Sequence, residues 1–114
     1  MKILRFNEIE VESLTGGIFT GEVKIQRIVN KEIGSKDLNI AYVFFPPGVR
    51  NKWHAHDYDQ CLWILGGKGI VASEKEEFEA EPGMAFFIPA GEKHWHGSLD
   101  EKHFSHISII GGTN

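Results

Sequence analysis

Gly48-Val49-Arg50-Asn51-Lys52-Trp53-His54-Ala55-His56-Asp57-Tyr58-Asp59-Gln60 sets two histidines and an amide on even positions behind a turn glycine. In an extended chain, residues two apart project from one face, so His54 and His56 present their imidazoles side by side. Two such nitrogen donors are half of a metal site. Gln60 has the same parity, and its amide oxygen can approach the same centre while bringing no charge. A second stretch, Gly83-Met84-Ala85-Phe86-Phe87-Ile88-Pro89-Ala90-Gly91-Glu92-Lys93-His94-Trp95-His96, ends a strand at Pro89, turns through Gly91 and starts the next strand at His94. His94 and His96 again share a face. Either pair alone reads as surface or core histidine; together, each behind its own glycine turn, they point to one metal site.

Working outward, short runs rich in Val, Ile, Phe and Trp have strand length and composition: 23–29, 40–45, 61–65, 69–72, 85–88 and 103–110. Gly16-Gly17, Pro46-Pro47-Gly48, Gly66-Gly67, Glu81-Pro82-Gly83 and Pro89-Ala90-Gly91 fall between them as turn signals. Thirteen glycines and four prolines interrupt the chain too often for long helices. The expected fold is all-β, a sandwich or small barrel. The five glutamates of 74–81 read as a solvated hairpin with Phe78 and Ala80 turned inward by alternation, since nothing makes the carboxylates converge.

The chain has 114 residues, one domain's worth, expected to span 1–114. A net charge of -4 argues against a nucleic-acid binder. The longest apolar stretches, such as 40–47, fall far short of the ~20 residues that cross a bilayer. Met1-Lys2-Ile3-Leu4-Arg5 lacks the apolar centre of a signal peptide, so no membrane partner and a cytoplasmic location are expected. The single Cys61 excludes an internal disulfide and a cysteine-rich zinc knuckle. All six histidines lie at or beyond position 54.

The two stretches resemble the paired motifs of the cupin superfamily, small antiparallel β-barrels that hold one metal inside. Gly48, His54, His56, Gln60 and Gly67 match the first motif in spacing (about 48–67), and Gly83, Pro89, Gly91 and His94 match the second (about 83–98). Two positions depart from it. Ser98 replaces the usual asparagine, and Gln60 stands where most cupins carry glutamate. The resemblance implies a single-domain jelly-roll barrel with one divalent ion held by His54, His56, Gln60 and His94. An amide in place of a carboxylate neutralises none of the ion's charge, which strengthens it as a Lewis acid and weakens its retention. The other reading of Gln60 is a wall residue beside a three-histidine site.

Phe19-Thr20-Gly21, 91–97 and Ser105-His106-Ile107 further resemble bacterial cupins with hydroxynitrile lyase activity, which generally use manganese. That likeness implies Mn here, with Fe, Ni or Zn as other fillings. It also implies His106 as general base in the cleavage of a small hydroxylated substrate. The residues suit this role: Phe104, His106, Ser108 and Ile110 share one strand face, and a neutral imidazole accepts a proton near neutral pH. Asn51 stands where that group has a threonine and Ile110 where it has a glutamine, both on the expected pocket wall with Ala41 and Val43. Two further functions are carried alongside: a metal-dependent dioxygenase or other oxidoreductase, and a non-catalytic small-molecule-binding barrel.

His96 is expected either to touch ligand or substrate, and so join the catalytic group, or to be buried and hydrogen-bonded. His103 reads as surface, Cys61 as a packed thiol, and Trp53 and Trp95 as facing away from the metal. Asp57 and Asp59 read as loop carboxylates. Strand edges and the apolar exterior at Trp63 and Leu65 suggest a homodimer or higher homo-oligomer.

Overall fold

The computed structural model describes residues 1–112, so the last two positions of the 1–114 span lie outside the described residues. Among the described residues nine strands form: β1 Glu12–Leu14, β2 Val23–Val29, β3 Leu38–Phe45, β4 Gln60–Gly67, β5 Gly69–Ser73, β6 Glu77–Ala80, β7 Ala85–Ile88, β8 His94–Ser98 and β9 Phe104–Gly111. Two 3-10 turns, Phe6–Glu8 and Lys31–Ile33, are the helical elements among the described residues. None of the described helices is long and apolar enough to cross a membrane.

The strands make two antiparallel sheets, one of six strands in the order β1-β2-β3-β9-β4-β7 and one of three in the order β6-β5-β8. The fold is thus an all-β barrel of the jelly-roll type, as expected. Alternation sets the faces: in β4, Leu62 and Ile64 are buried while Trp63 and Leu65 are exposed. In β3, Ala41, Val43 and Phe45 turn inward.

Val23, Val43, Phe45, Leu62, Ile64, Val71, Ala80, Ile88 and Phe104 meet between the sheets as one core. Burying each large side chain contributes about 1.5–3 kcal/mol. Two further segments extend the small sheet through isolated bridges. Arg50 and His54 bridge to Gly97 and His94 of β8, and Phe19 bridges to Asn51. With chain on both sides, β8 is buried from His94 to Gly97.

One expectation fails. Ala80 is fully buried, but Phe78 is exposed. β6 and β7 are edge strands, so Phe78, though it meets Phe86 of the facing sheet with ring centroids 6.1 Å apart, stays open to solvent. Trp95 is buried with the Arg50 guanidinium 3.9 Å over its ring, whereas Trp53 is exposed. His103 is exposed and stacks on Phe44.

Candidate metal centre

The turn at Gly48, with φ of 76°, delivers the following residues alongside β8. Val49 accepts from the Ser98 amide at 3.0 Å, and the Asn51 amide donates to the His96 carbonyl at 2.9 Å. The approach is close because Gly97 has no side chain; a Cβ there would collide with Arg50 and lie 2.7 Å from the Val49 carbonyl oxygen. His54 and His94 then exchange backbone hydrogen bonds, at 3.0 and 2.9 Å, which brings their rings to 4.3 Å between centroids. His56 follows on the same face and is tied down by the Gly91 amide, which donates to its carbonyl at 2.7 Å. Asp59 is structural, its carboxylate accepting from the Ala90 amide at 3.0 Å.

Each of these three rings spends one nitrogen on the backbone. Nδ1 donates to the Lys52 carbonyl from His54 at 2.7 Å, to the Tyr58 carbonyl from His56 at 3.0 Å, and to the Glu92 carbonyl from His94 at 2.8 Å. Every Nε2 is therefore left as a bare lone pair, the form that binds a metal. The ligand atoms of His54, His56 and His94 lie within 4.8 Å of one another. Two nitrogens on one ion stand at most about 4.2 Å apart at common metal–nitrogen lengths, so small ring rotations close the group around an ion. His94 Nε2 is buried without a hydrogen-bond partner. An orphaned acceptor of this kind is costly, and a metal ion relieves it. The three-histidine group fits a metal.

Gln60 enters from the start of β4. Its Nε2 donates to Ser108 Oγ at 2.9 Å, and its Oε1 lies 3.1 Å from His56 Nε2. The side-chain amide thus borders the histidine group.

A cavity of about 180 Å³ opens beside the centre, lined by Ile18, Phe19, Val43, Phe45, Asn51, His54, His56, Tyr58, Gln60, His96, His106 and Ser108. Val43 and Asn51 are among the lining residues. Ala41 and Ile110 are not, although they share its parity: Ala41 is buried opposite Ser108, and Ile110 pairs with Gln60 farther along β9. Sequence reasoning missed Ile18 and Tyr58 as wall residues. Tyr58 stacks on His56 at 4.2 Å with the rings 2° from parallel, and an aromatic two residues from a candidate ligand was the available signal. A second cavity of about 210 Å³, between β5, β6 and β7, meets the centre only at His94. The first, which touches three of the four candidate donors, is the one placed for chemistry.

His106 sits on this wall at 1% exposure, paired in register with Val43 and Ile64. Neither ring nitrogen has a hydrogen-bond partner. Phe45, Phe104 and His96 surround it, with ring centroids 5.8, 5.7 and 5.0 Å away. Burial among these groups pushes its pKa down to about 4, so the ring is neutral at pH 7. Burial also lowers His94 to about 4 and holds His54 and His96 below the usual histidine range. His96 is buried and hydrogen-bonded to Asn51, and it reaches the cavity as well.

The two-sheet barrel has counterparts among known proteins. The profile of the cupin domain family matches residues 41–110, which takes in both histidine stretches and β9 as far as Ile110. The chain belongs to the cupin family. Among curated proteins, this cupin is 34% identical over 92 residues to an (R)-mandelonitrile lyase of Granulicella tundricola, covering 80% of this chain and 70% of that one. Among solved structures, it resembles a cupin-like protein of Thermotoga maritima with a TM-score of 0.80 and 31% identity, over 85% of this chain and 74% of the other. The polyketide cyclase RemF of Streptomyces resistomycificus superposes with a TM-score of 0.88 at 18% identity, over 97% of this cupin and 79% of RemF, a likeness of fold alone.

Proposed function

We propose that this cupin is a metal-dependent lyase that cleaves a small hydroxylated substrate of the cyanohydrin type. His54, His56, Gln60 and His94 hold one divalent ion, with manganese the first choice and iron, nickel or zinc able to occupy the same donors. The likeness to a mandelonitrile lyase supports the reaction class. The observation that carries it is His106: buried, neutral, unpartnered at both nitrogens and on the same cavity wall as the histidine group. At about 180 Å³ the cavity is smaller than the roughly 300–1,000 Å³ of drug-sized sites, so the substrate is small.

A bound divalent ion supplies Lewis acidity, which acidifies a hydroxyl and offsets developing negative charge. The chain does the rest. Phe19, Val43 and Phe45 receive the hydrocarbon part and exclude water. His106 takes the hydroxyl proton on a free ring nitrogen as the bond between the carbinol and nitrile carbons breaks. A carbonyl forms, and cyanide leaves with the bonding pair. The imidazolium then returns its proton to cyanide, releasing hydrogen cyanide and restoring the neutral ring.

The test is mandelonitrile cleavage by metal-stripped protein and by its manganese and iron forms, with oxygen uptake followed in parallel. Metal-dependent release of benzaldehyde and cyanide is expected. Oxygen consumption without cleavage favours the oxidoreductase reading, and turnover in neither assay favours a binding module.

We also propose a homodimer through the outer face of the six-stranded sheet. Trp63 and Leu65 of β4 and Phe87 of β7 are exposed there, and a strand face this apolar favours a partner of the same kind. Light scattering is expected to give twice the chain mass; a monomer at micromolar concentration contradicts the assignment.

A further inference from the structure

Asn51 and His96, 45 positions apart, are locked together by two side-chain hydrogen bonds. Asn51 Oδ1 accepts the His96 backbone N–H at 2.8 Å, and Asn51 Nδ2 donates to His96 Nε2 at 3.2 Å. A backbone N–H can only donate, so it determines which end of the amide is the oxygen. The NH2 end therefore faces the ring, and His96 Nε2 must offer a lone pair. In a neutral imidazole the hydrogen then resides on Nδ1.

That Nδ1 is buried and has no partner in the protein. The rings around His96 are Phe45, His54, His94 and His106. Phe45 has no acceptor nitrogen. His54 and His94 already donate Nδ1 to the Lys52 and Glu92 carbonyls, and their Nε2 atoms belong to the metal group. What remains is His106, unpartnered at both nitrogens, and the occupant of the cavity that both histidines line.

We infer that Asn51 is a positioning residue that holds His96 as an Nδ1–H donor, so that the cavity selects a ligand with an acceptor atom for His96 beside a proton-bearing group for His106. The two histidines thereby divide the work. His96 has its lone pair committed to Asn51 and can only donate; His106 alone can take a proton. A hydrocarbon of the same shape leaves both rings unpaired and is rejected, because buried unpaired polar groups are costly. The substrate half of the inference rests on the lyase reading. In a cyanohydrin the nitrile nitrogen is the acceptor and the hydroxyl the proton-bearing group; in the product aldehyde the carbonyl oxygen is the acceptor.

The full chain, with histidine rings labelled in nitrogen-15, is studied metal-free and zinc-loaded by long-range proton–nitrogen correlation. The expected spectrum has His96 protonated at Nδ1 and bare at Nε2. Asn51→Asp keeps an oxygen for the His96 amide but puts a second acceptor where the NH2 stood. Nε2 must then carry the proton, and the pattern changes. Benzaldehyde serves as the binding probe, and its affinity is expected to fall about tenfold or more in Asn51→Asp, the loss of one hydrogen bond to a buried group. Ethylbenzene, which offers no acceptor, is expected to bind no better to the native protein than to the variant. A native His96 protonated at Nε2 overturns the inference whether or not any variant folds. Equal benzaldehyde affinity in native protein and variant overturns the selection of an acceptor. Failure of mandelonitrile cleavage with the expected ring spectrum removes the reaction and leaves the His96 assignment standing.

Discussion

His54 and His94 are antiparallel neighbours that exchange both backbone hydrogen bonds, and this exchange brings two candidate metal donors to 4.3 Å between ring centroids. Forty residues of sequence separate them, so the centre exists only once the segment after Gly48 has docked on β8.

The docking itself can be tested at Gly97. In Gly97→Ala the new Cβ meets Arg50 and the Val49 carbonyl, which pushes the His54 segment off β8. Overpacking of this kind costs about 1–3 kcal/mol. The variant is expected to show a lower Tm and, unlike a simple core variant, reduced metal content after dialysis. An unchanged metal content contradicts the link between the backbone approach and the centre.

Removing a donor acts more directly. His94→Ala is expected to lose more metal affinity than the roughly 10–100-fold typical of losing a hydrogen bond to a ligand. Competition against a chromophoric chelator measures this, with circular dichroism confirming that the sheets persist.

Gln60→Glu replaces a neutral oxygen donor by a charged one in the same place, 3.1 Å from His56 Nε2. Metal retention is expected to rise and cleavage to fall, because the carboxylate neutralises one of the ion's charges. Chelator competition and the cleavage assay read the two effects separately. Weaker retention in the variant contradicts direct ligation by Gln60.

His106→Ala is expected to keep its metal and lose about 10²–10⁴-fold in cleavage, the usual contribution of a positioned acid or base. Since burial holds the native ring near pKa 4, the acid limb of the rate lies below the ordinary histidine range while the metal remains bound. A variant with full activity removes His106 from the reaction.

Metal-free protein is expected to lose stability in acid. The folded-state pKa of His106 is depressed, to about 4 from 6.5, so its stabilisation is present above about pH 6.5 and is lost as pH falls towards 4. At about 1.4 kcal/mol per pH unit this ring alone accounts for about 3 kcal/mol. His94 and His96 shift in the same direction and steepen the loss. Tm measured from pH 7 to 4.5 should fall, and less steeply in His106→Phe. A flat profile contradicts the buried neutral rings.

Most of the regular strands, though not the short β1, were plain in the sequence because composition and alternation agree there. The runs 23–29 and 85–88 form strands with those very ends. The shared parity of His54 and His56, and of Phe104 and His106, likewise survives as shared faces, since alternation is local. What could not be read were contacts made by irregular chain. Arg50-Asn51-Lys52 has no strand composition, yet it pairs with β8 because Gly97 leaves room. The resemblance places Asn51 on the pocket wall, but its partnership with His96 could not be read, because only the sheet extension creates that contact. Phe78 went wrong because alternation says which face a residue takes and not whether anything covers that face at a sheet edge.

The proposed centre binds one ion through four side chains from two stretches of the chain, His54, His56 and Gln60 from one and His94 from the other. Crystals loaded with manganese and measured for anomalous scattering test it most directly. The account predicts a single strong peak bonded to Nε2 of His54, His56 and His94 and to Oε1 of Gln60. A loaded crystal with no peak among those atoms, or with manganese bound only elsewhere, contradicts it.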